Sequence, residues 1–354
     1  MDGLRAVAAF SVVVHHSDLL AAPSLAALRN FLGWFGVDLF LVLSAFLLSR
    51  LLLLERERTG DVGIVNFYIR RALRIWPLYV VFVTFALIWG IVNDGASAQL
   101  VGWYIAHLTF TQNIEAAYHG YSPFPFSAHL WTIALEEQAY LLIPIATATY
   151  FSRGHQRGLL IALASAALAF VVMRVGIVLI GRSHPFLWVS PLRADTFLFG
   201  IFMGLGTGIG GSNEASRTRS FFAISAVAFL IVALVRIGPP GASNLCEIFG
   251  YPVMAGTCCL IVYAVSLSPS MQTVFSCRPI RHLGKLSYGI YLFHIFALAE
   301  SAVLLDKLEL HGSAARFGAA VILTVVLAEC SYRVIERPFL LLKDRFTSVE
   351  SRPA

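Results

Sequence analysis

Residues 32–54 read LGWFGVDLFLVLSAFLLSRLLLL, with Asp38 and Arg50 as the only charges. As a helix these 23 residues would extend about 35 Å, enough to cross a hydrocarbon core about 30 Å thick. Comparable apolar runs fall at about 4–22, 77–93, 130–151, 158–180, 187–209, 220–238, 245–267, 286–305 and 314–335. The sequence therefore predicts an all-α, polytopic membrane bundle of about ten transmembrane helices. Composition agrees: the 354 residues are 58% hydrophobic and only 13% charged, against about 25% charged in soluble domains. Mean hydropathy is +0.76.

A net charge of +6 in a soluble chain would suggest nucleic acid. Here the basic residues lie between apolar runs, so orientation in the bilayer explains them and no nucleic-acid partner is expected. The stretch at about 98–112 (SAQLVGWYIAHLTFT, 97–111) is short and holds Gln99 and His107. If it does not cross, one side of the membrane collects 19 of the 26 Lys and Arg residues. It is therefore read as re-entrant or surface-lying, with both termini cytoplasmic. Arg5 followed by apolar residues 6–14 resembles a leader, but His15, His16 and Asp18 make a poor end to one, so a retained helix is expected. Loops are short and no repeat is visible, which gives one transmembrane domain over 1–345 and a short cytoplasmic tail over 346–354. The five cysteines show no CxxC or Cys/His ligand spacing, so neither a disulfide framework nor a metal site is expected.

Ionisable groups at membrane depth cost at least about 2.5–3.5 kcal/mol each on insertion scales, so they point to function or to buried pairs. In LRAVAAFSVVVHHS (4–17), Arg5 and His16 stand eleven positions apart. That places them about 20° out of register and about 16 Å apart along the axis, while His15 points about 80° away. The small residues Ala8, Ala9 and Val12 lie between, so the face reads as a cation at the mouth of a narrow channel with an imidazole at its depth. Histidine is the usual general base near neutral pH; the structural alternative is a histidine bonded to a neighbouring helix.

In FYIRRALRIWP (67–77), Arg70, Arg71 and Arg74 make a compact patch at i, i+3 and i, i+4. It suits phosphates, or lipid headgroups if the arginines only snorkel. In HLWTIALEEQAYLLIP (129–144), Glu136 shares a face with Thr132 and Tyr140. In LSYGIYLFHI (286–295), Ser287, Tyr291 and His294 form a second polar stripe. Asp38 and Ser44 are further polar groups, and Arg193 with Asp195 reads as a simple ion pair.

Together, DGLRAVAAFSVVVHH, GWFGVDLFLVLSAFLLS, FYIRRALRIWPLY, HLWTIALEEQAYLL, RADTFLFG, LSYGIYLFHI and ECSYRVIERPF resemble the acyltransferase-3 family of bacterial-type membrane O-acyltransferases, in family order. Two departures concern packing: Ala45 stands for the glycine of LSGF, and Ala139 replaces an aromatic after EEQ. The chain begins almost at the first motif, so a natural start a few residues upstream is expected. The resemblance implies a roughly ten-helix inner-membrane enzyme that moves an acyl group, commonly acetyl, from cytoplasmic acyl-CoA to an acceptor hydroxyl at the outer face.

It further implies that Arg5 and His16 are the arginine-histidine pair of the first helix and that Arg71 and Arg74 are the RxxR pair. Glu136 matches the family's glutamate. On this reading Arg5, Arg71, Arg74 and Arg70 hold the CoA phosphates, His16 is the base, and Glu136 orients it. His294 and Tyr291 stabilise the oxyanion or bind the acceptor, with Asp38, Ser44, Tyr140 and Ser287 as substrate or structural polar groups. No tightly bound cofactor is expected. The acceptor is expected to be a carbohydrate or glycoside, and a two-domain peptidoglycan-type enzyme is disfavoured because no second soluble domain is seen. The competing class is a transporter or flippase of a glycan or glycolipid, since buried charges also mark substrate pathways.

Overall fold

The computed structural model describes residues 1–120, 122–152, 156–181, 191–206, 224–227, 243–310 and 312–347, and these contain helices and no strand. They run α1 (Asp2–His16), α2 (Ala26–Thr59), α3 (Ile64–Asp94), α4 (Ala98–Leu108), α5 (Gln112–His119), α6 (Trp131–Ser152), α7 (Gln156–Leu179) and α8 (Asp195–Gly206). After a π-helical turn at Cys246–Gly250 come α9 (Tyr251–Leu267), α10 (Pro269–Phe275), α11 (Arg278–Lys307), α12 (Ser313–Ser331) and α13 (Arg337–Lys343).

Six of these segments are long and apolar enough to cross a membrane: Pro23–Thr59, Ile64–Asp94, Ile161–Leu179, Cys246–Leu267, Arg278–Lys307 and Ser313–Phe346. The chain is a multi-pass, all-helical membrane protein. The expected span at 187–209 is helical over its described residues, a 3-10 turn at Pro191–Ala194 leading into α8, while the expected span at 220–238 lies largely outside the described residues. The expected span at 4–22 is shorter than the apolar run: α1 ends at His16, where Ser17 turns extended and its Oγ accepts the Leu19 amide. Fifteen residues give about 22 Å of helix. The span at 130–151 is helical as α6, but Glu136, Glu137 and Gln138 lower its hydropathy.

The short stretch near 98–112 forms α4, eleven residues or about 16 Å, which is too short to cross as one helix. Phe110 (φ 54) then turns the chain into α5, and Gly120 (φ 85) ends it.

The chain divides into two compact units, Met1–Leu43 with Thr207–Tyr332, and Ser44–Gly206 with Arg333–Ala354. In the first unit α1 packs along α11, and α11 along α12. Ala9, Val13, Leu286, Ile290 and Ala328 make a buried cluster there, flanked by Phe10, Phe40 and Phe317. Small residues permit this closeness, as is usual where helices associate in lipid. A Cβ on Gly284 would collide with the Asp2 carbonyl, and one on Gly36 would lie 2.6 Å from the Ala8 oxygen. Ala8, Ala9 and Val12, read from sequence as leaving room for a channel, are therefore consumed by helix contacts and fully buried.

In the second unit α3 carries the core, with Phe67, Leu78, Tyr79, Phe82 and Val83 buried. It packs against α4, α6 and α13. The pairing expected between Arg193 and Asp195 is not formed. Asp195 pairs at 2.7 Å with Arg174 of α7, which also donates to the Leu192 carbonyl at 2.9 Å. Asp195 opens α8 and its Oδ1 accepts the Thr196 amide. Residues two apart at a helix start point in different directions, so Asp195 meets α7, and Arg193 is itself fully buried.

Candidate functional site

The polar residues singled out in the sequence fall into two constellations, one in each unit. In the first unit, His16 is the last residue of α1 and its side chain is exposed. Its Nδ1 lies 3.0 Å from the Val12 carbonyl oxygen and 3.2 Å from Nε2 of His294. A carbonyl only accepts, so His16 carries its proton on Nδ1 and keeps a lone pair on Nε2. His294 is fully buried in α11, and its Nδ1 lies 2.6 Å from the Tyr291 carbonyl oxygen.

His15 is occupied differently. Its Nδ1 donates to the Arg29 carbonyl at 2.9 Å, and its ring lies flat on α2 where Gly33 has no side chain. A Cβ there would be 2.6 Å from His15 Nδ1. The helical phase thus separates the two imidazoles by role, with His15 pinning the end of α1 to α2 and His16 left accessible. The His15 and His16 rings stand 4.8 Å apart, edge to face. Arg5, near the other end of α1, pairs with Asp2 at 3.3 Å and is mostly buried. Tyr291 is buried with its ring 6.0 Å from Phe40 and 5.6 Å from His294. Ser287 and Asp38 are buried as well, Asp38 fully so on α2 beside Cys259.

In the second unit the three arginines of α3 part company. Arg70 turns inward to Glu55 of α2, with Nη2–Oε2 at 2.8 Å and Nη1–Oε1 at 3.4 Å. Its Nη1 also donates to the Phe346 carbonyl at 2.8 Å. That guanidinium is committed to structure. The Arg71 guanidinium lies 5.8 Å from the ring centroids of both Phe67 and Tyr140, with its Nε buried and unpartnered. Among the described residues neither Arg71 nor Arg74 makes a side-chain ion pair. Tyr140 donates a hydrogen bond to Glu136 one turn back, with Ser44 against the same hydroxyl. Glu137 instead accepts Trp76 Nε1 at 3.1 Å, so its carboxylate leaves the Glu136 face.

Other polar contacts carry no motif. Gln112 Nε2 donates to Tyr79 Oη at 2.9 Å and to the Leu130 carbonyl at 3.0 Å, and Tyr79 donates to the His107 carbonyl at 3.2 Å. Asn113 and Gln138 exchange reciprocal amide bonds at 3.1 and 2.9 Å. This network ties α4 and α5 to α3 and α6. A signal for it was available: Gln112, Asn113 and Gln138 are amides in apolar surroundings, where each needs a partner. Glu55 was overlooked because it sits in the charged run ERER (55–58), which reads as a solvated end. Among the described residues no group of three or more His, Cys, Asp or Glu side chains is arranged to hold a metal ion.

These features define a multi-pass helical membrane protein with an accessible imidazole and a separate arginine-carboxylate cluster. The chain belongs to the acyltransferase-3 family: that family's model, described as an acyltransferase domain, matches residues 1–332. It is similar to the O-acetyltransferase OatA of Staphylococcus aureus (strain NCTC 8325 / PS 47), 27% identical over 354 residues covering 96% of this chain. A putative O-acetyltransferase of S. aureus (strain COL) is 24% identical, covering 100% of this chain. The chain spans 56% and 59% of the length of these two relatives. No solved structure matches it.

Proposed function

We propose that this chain is a membrane O-acetyltransferase that moves an acetyl group from acyl-CoA to a hydroxyl of a carbohydrate or glycoside, with His16 as general base. The observation that carries the reading is the His16 imidazole itself. It is held through Nδ1, so Nε2 keeps its lone pair on an exposed side chain. The names of the relatives support the choice of acetyl transfer.

In the reaction, Nε2 of His16 takes the acceptor hydroxyl proton as that oxygen bonds to the thioester carbonyl carbon. The C–S bond then breaks, and the proton on Nε2 passes to the departing thiolate, which restores the neutral imidazole. Arg71 and Arg74, which among the described residues have no carboxylate in ion-pair contact, bind the CoA phosphates, which guanidinium forks match well. In the first unit Arg5, paired with Asp2, is the candidate phosphate contact. Arg70 acts behind Arg71 and Arg74 by fixing the start of α3. Glu136 and Tyr140 keep Arg71 in place. The charge asymmetry of the sequence supports cytoplasmic termini in the cell membrane, with about ten spans and the donor arriving from the cytoplasm.

Labelled acetyl-CoA and a glycan acceptor supplied to reconstituted protein test this. His16→Ala should abolish transfer at unchanged protein abundance. Arg71→Ala and Arg74→Ala should each weaken donor binding by about 10–100-fold, the equivalent of a charged hydrogen bond worth about 1.5–3 kcal/mol. Full activity in His16→Ala refutes the base, and unchanged donor affinity in both arginine variants returns them to lipid contacts.

A further inference from the structure

We propose that His294 is a positioning residue for His16: it accepts the His16 Nδ1 proton and so holds and stabilises the imidazolium formed during transfer. The proposal rests on the reading of His16 as the general base. It starts from two carbonyls. The Tyr291 oxygen lies 2.6 Å from His294 Nδ1 and the Val12 oxygen 3.0 Å from His16 Nδ1. Carbonyl oxygens have no proton to give, so both rings carry hydrogen on Nδ1. His294 Nε2 is then a lone pair, and it lies 3.2 Å from His16 Nδ1. The order is fixed: His16 Nδ1–H donates to His294 Nε2, and His294 Nδ1–H donates to the Tyr291 backbone. A doubly protonated His294 would set N–H against N–H at this contact.

The two acceptors of His16 differ in what they do. Val12 is one turn back on α1, so its carbonyl follows the helix end wherever that end moves. His294 belongs to α11 and is fully buried, with its ring 5.0 Å from the His16 ring. It ties the exposed last residue of α1 to a fixed helix and keeps Nε2 as the basic atom. When Nε2 takes the acceptor proton, positive charge spreads to Nδ1–H, and the hydrogen bond to His294 becomes charge-assisted and stronger. His294 gains no proton in this step. Among the described residues no carboxylate is bonded to His16, so a neutral imidazole takes the place that a carboxylate fills in hydrolytic triads.

The test compares His294→Leu with His294→Gln in protein labelled with 15N-histidine. A glutamine can both accept from His16 Nδ1–H and donate to Tyr291, whereas leucine does neither. The expected result is a kcat about 100-fold lower in His294→Leu and within about 10-fold of the parent in His294→Gln. KM for the acyl donor should stay within about two-fold in both. The 15N spectrum should show the hydrogen-bonded Nδ1–H of His16 perturbed by leucine and retained by glutamine. Equal losses in the two variants, no loss in either, or a His16 signal unmoved by His294→Leu would overturn the proposal. The spectrum needs no turnover, so it judges the His294 contact even if His16→Ala keeps its activity and the base assignment falls.

Discussion

Glu55→Ala tests how the second unit holds its arginines. In the native structure the Arg70 and Glu55 side chains are 3% and 4% exposed, so both charges are almost fully withdrawn from solvent. Two contacts at 2.8 and 3.4 Å join them, and the Phe346 carbonyl supplies a third acceptor. Removing the carboxylate leaves a buried guanidinium with one neutral acceptor, a change that costs about 3–5 kcal/mol in comparable pairs. Replacing both partners by apolar residues of similar volume removes the charge and should cost far less. At about 2 °C per kcal/mol for a chain of this size, Glu55→Ala should lower the midpoint of thermal aggregation in detergent by roughly 6–10 °C. Glu55→Leu combined with Arg70→Met should recover most of that loss. Donor binding should weaken with stability in the single variant, because Arg70 anchors the turn from which Arg71 and Arg74 project. A Glu55→Ala protein as stable as its parent, or a double variant no better than the single, would refute the assignment of this pair as the anchor of α3.

Two further outcomes follow from the first unit. Gly36→Ala places a Cβ 2.6 Å from the Ala8 oxygen, so α1 must shift from α2 at a cost of about 1–3 kcal/mol, read as reduced monodisperse protein after solubilisation. His15→Ala loses the bond to the Arg29 carbonyl and should cost about 1 kcal/mol, with transfer activity reduced far less than in His16→Ala.

What the sequence could and could not reveal follows from the range of each interaction. Glu136 with Tyr140 was legible because i and i+4 meet on any helix, and His16 was separated from His15 by phase alone. The short α4 was legible from its length and its polar residues. Arg174 with Asp195, and Arg70 with Glu55, were not, because their partners come from other helices and nothing in a local pattern names them. The same limit explains Ala8, Ala9 and Val12. Small side chains on one face allow either a passage or a close neighbour, and only the position of Gly36 decides between them. The partner of His16 was likewise hidden, because His294 lies 278 positions away.

That separation sets an order of events during synthesis. α1 emerges first, yet α11, the helix along which it packs most closely, starts only at Arg278. At about 5–20 residues per second, α1 waits on the order of fifteen seconds to a minute for α11. Throughout that interval α1 has α2 beside it, with His15 bonded to the Arg29 carbonyl, but lacks its partner from the far end of the chain. The first unit therefore cannot close until nearly the whole polypeptide is made. A truncation before α11 should yield not a smaller folded unit but an unassembled one, a ready substrate for membrane quality control.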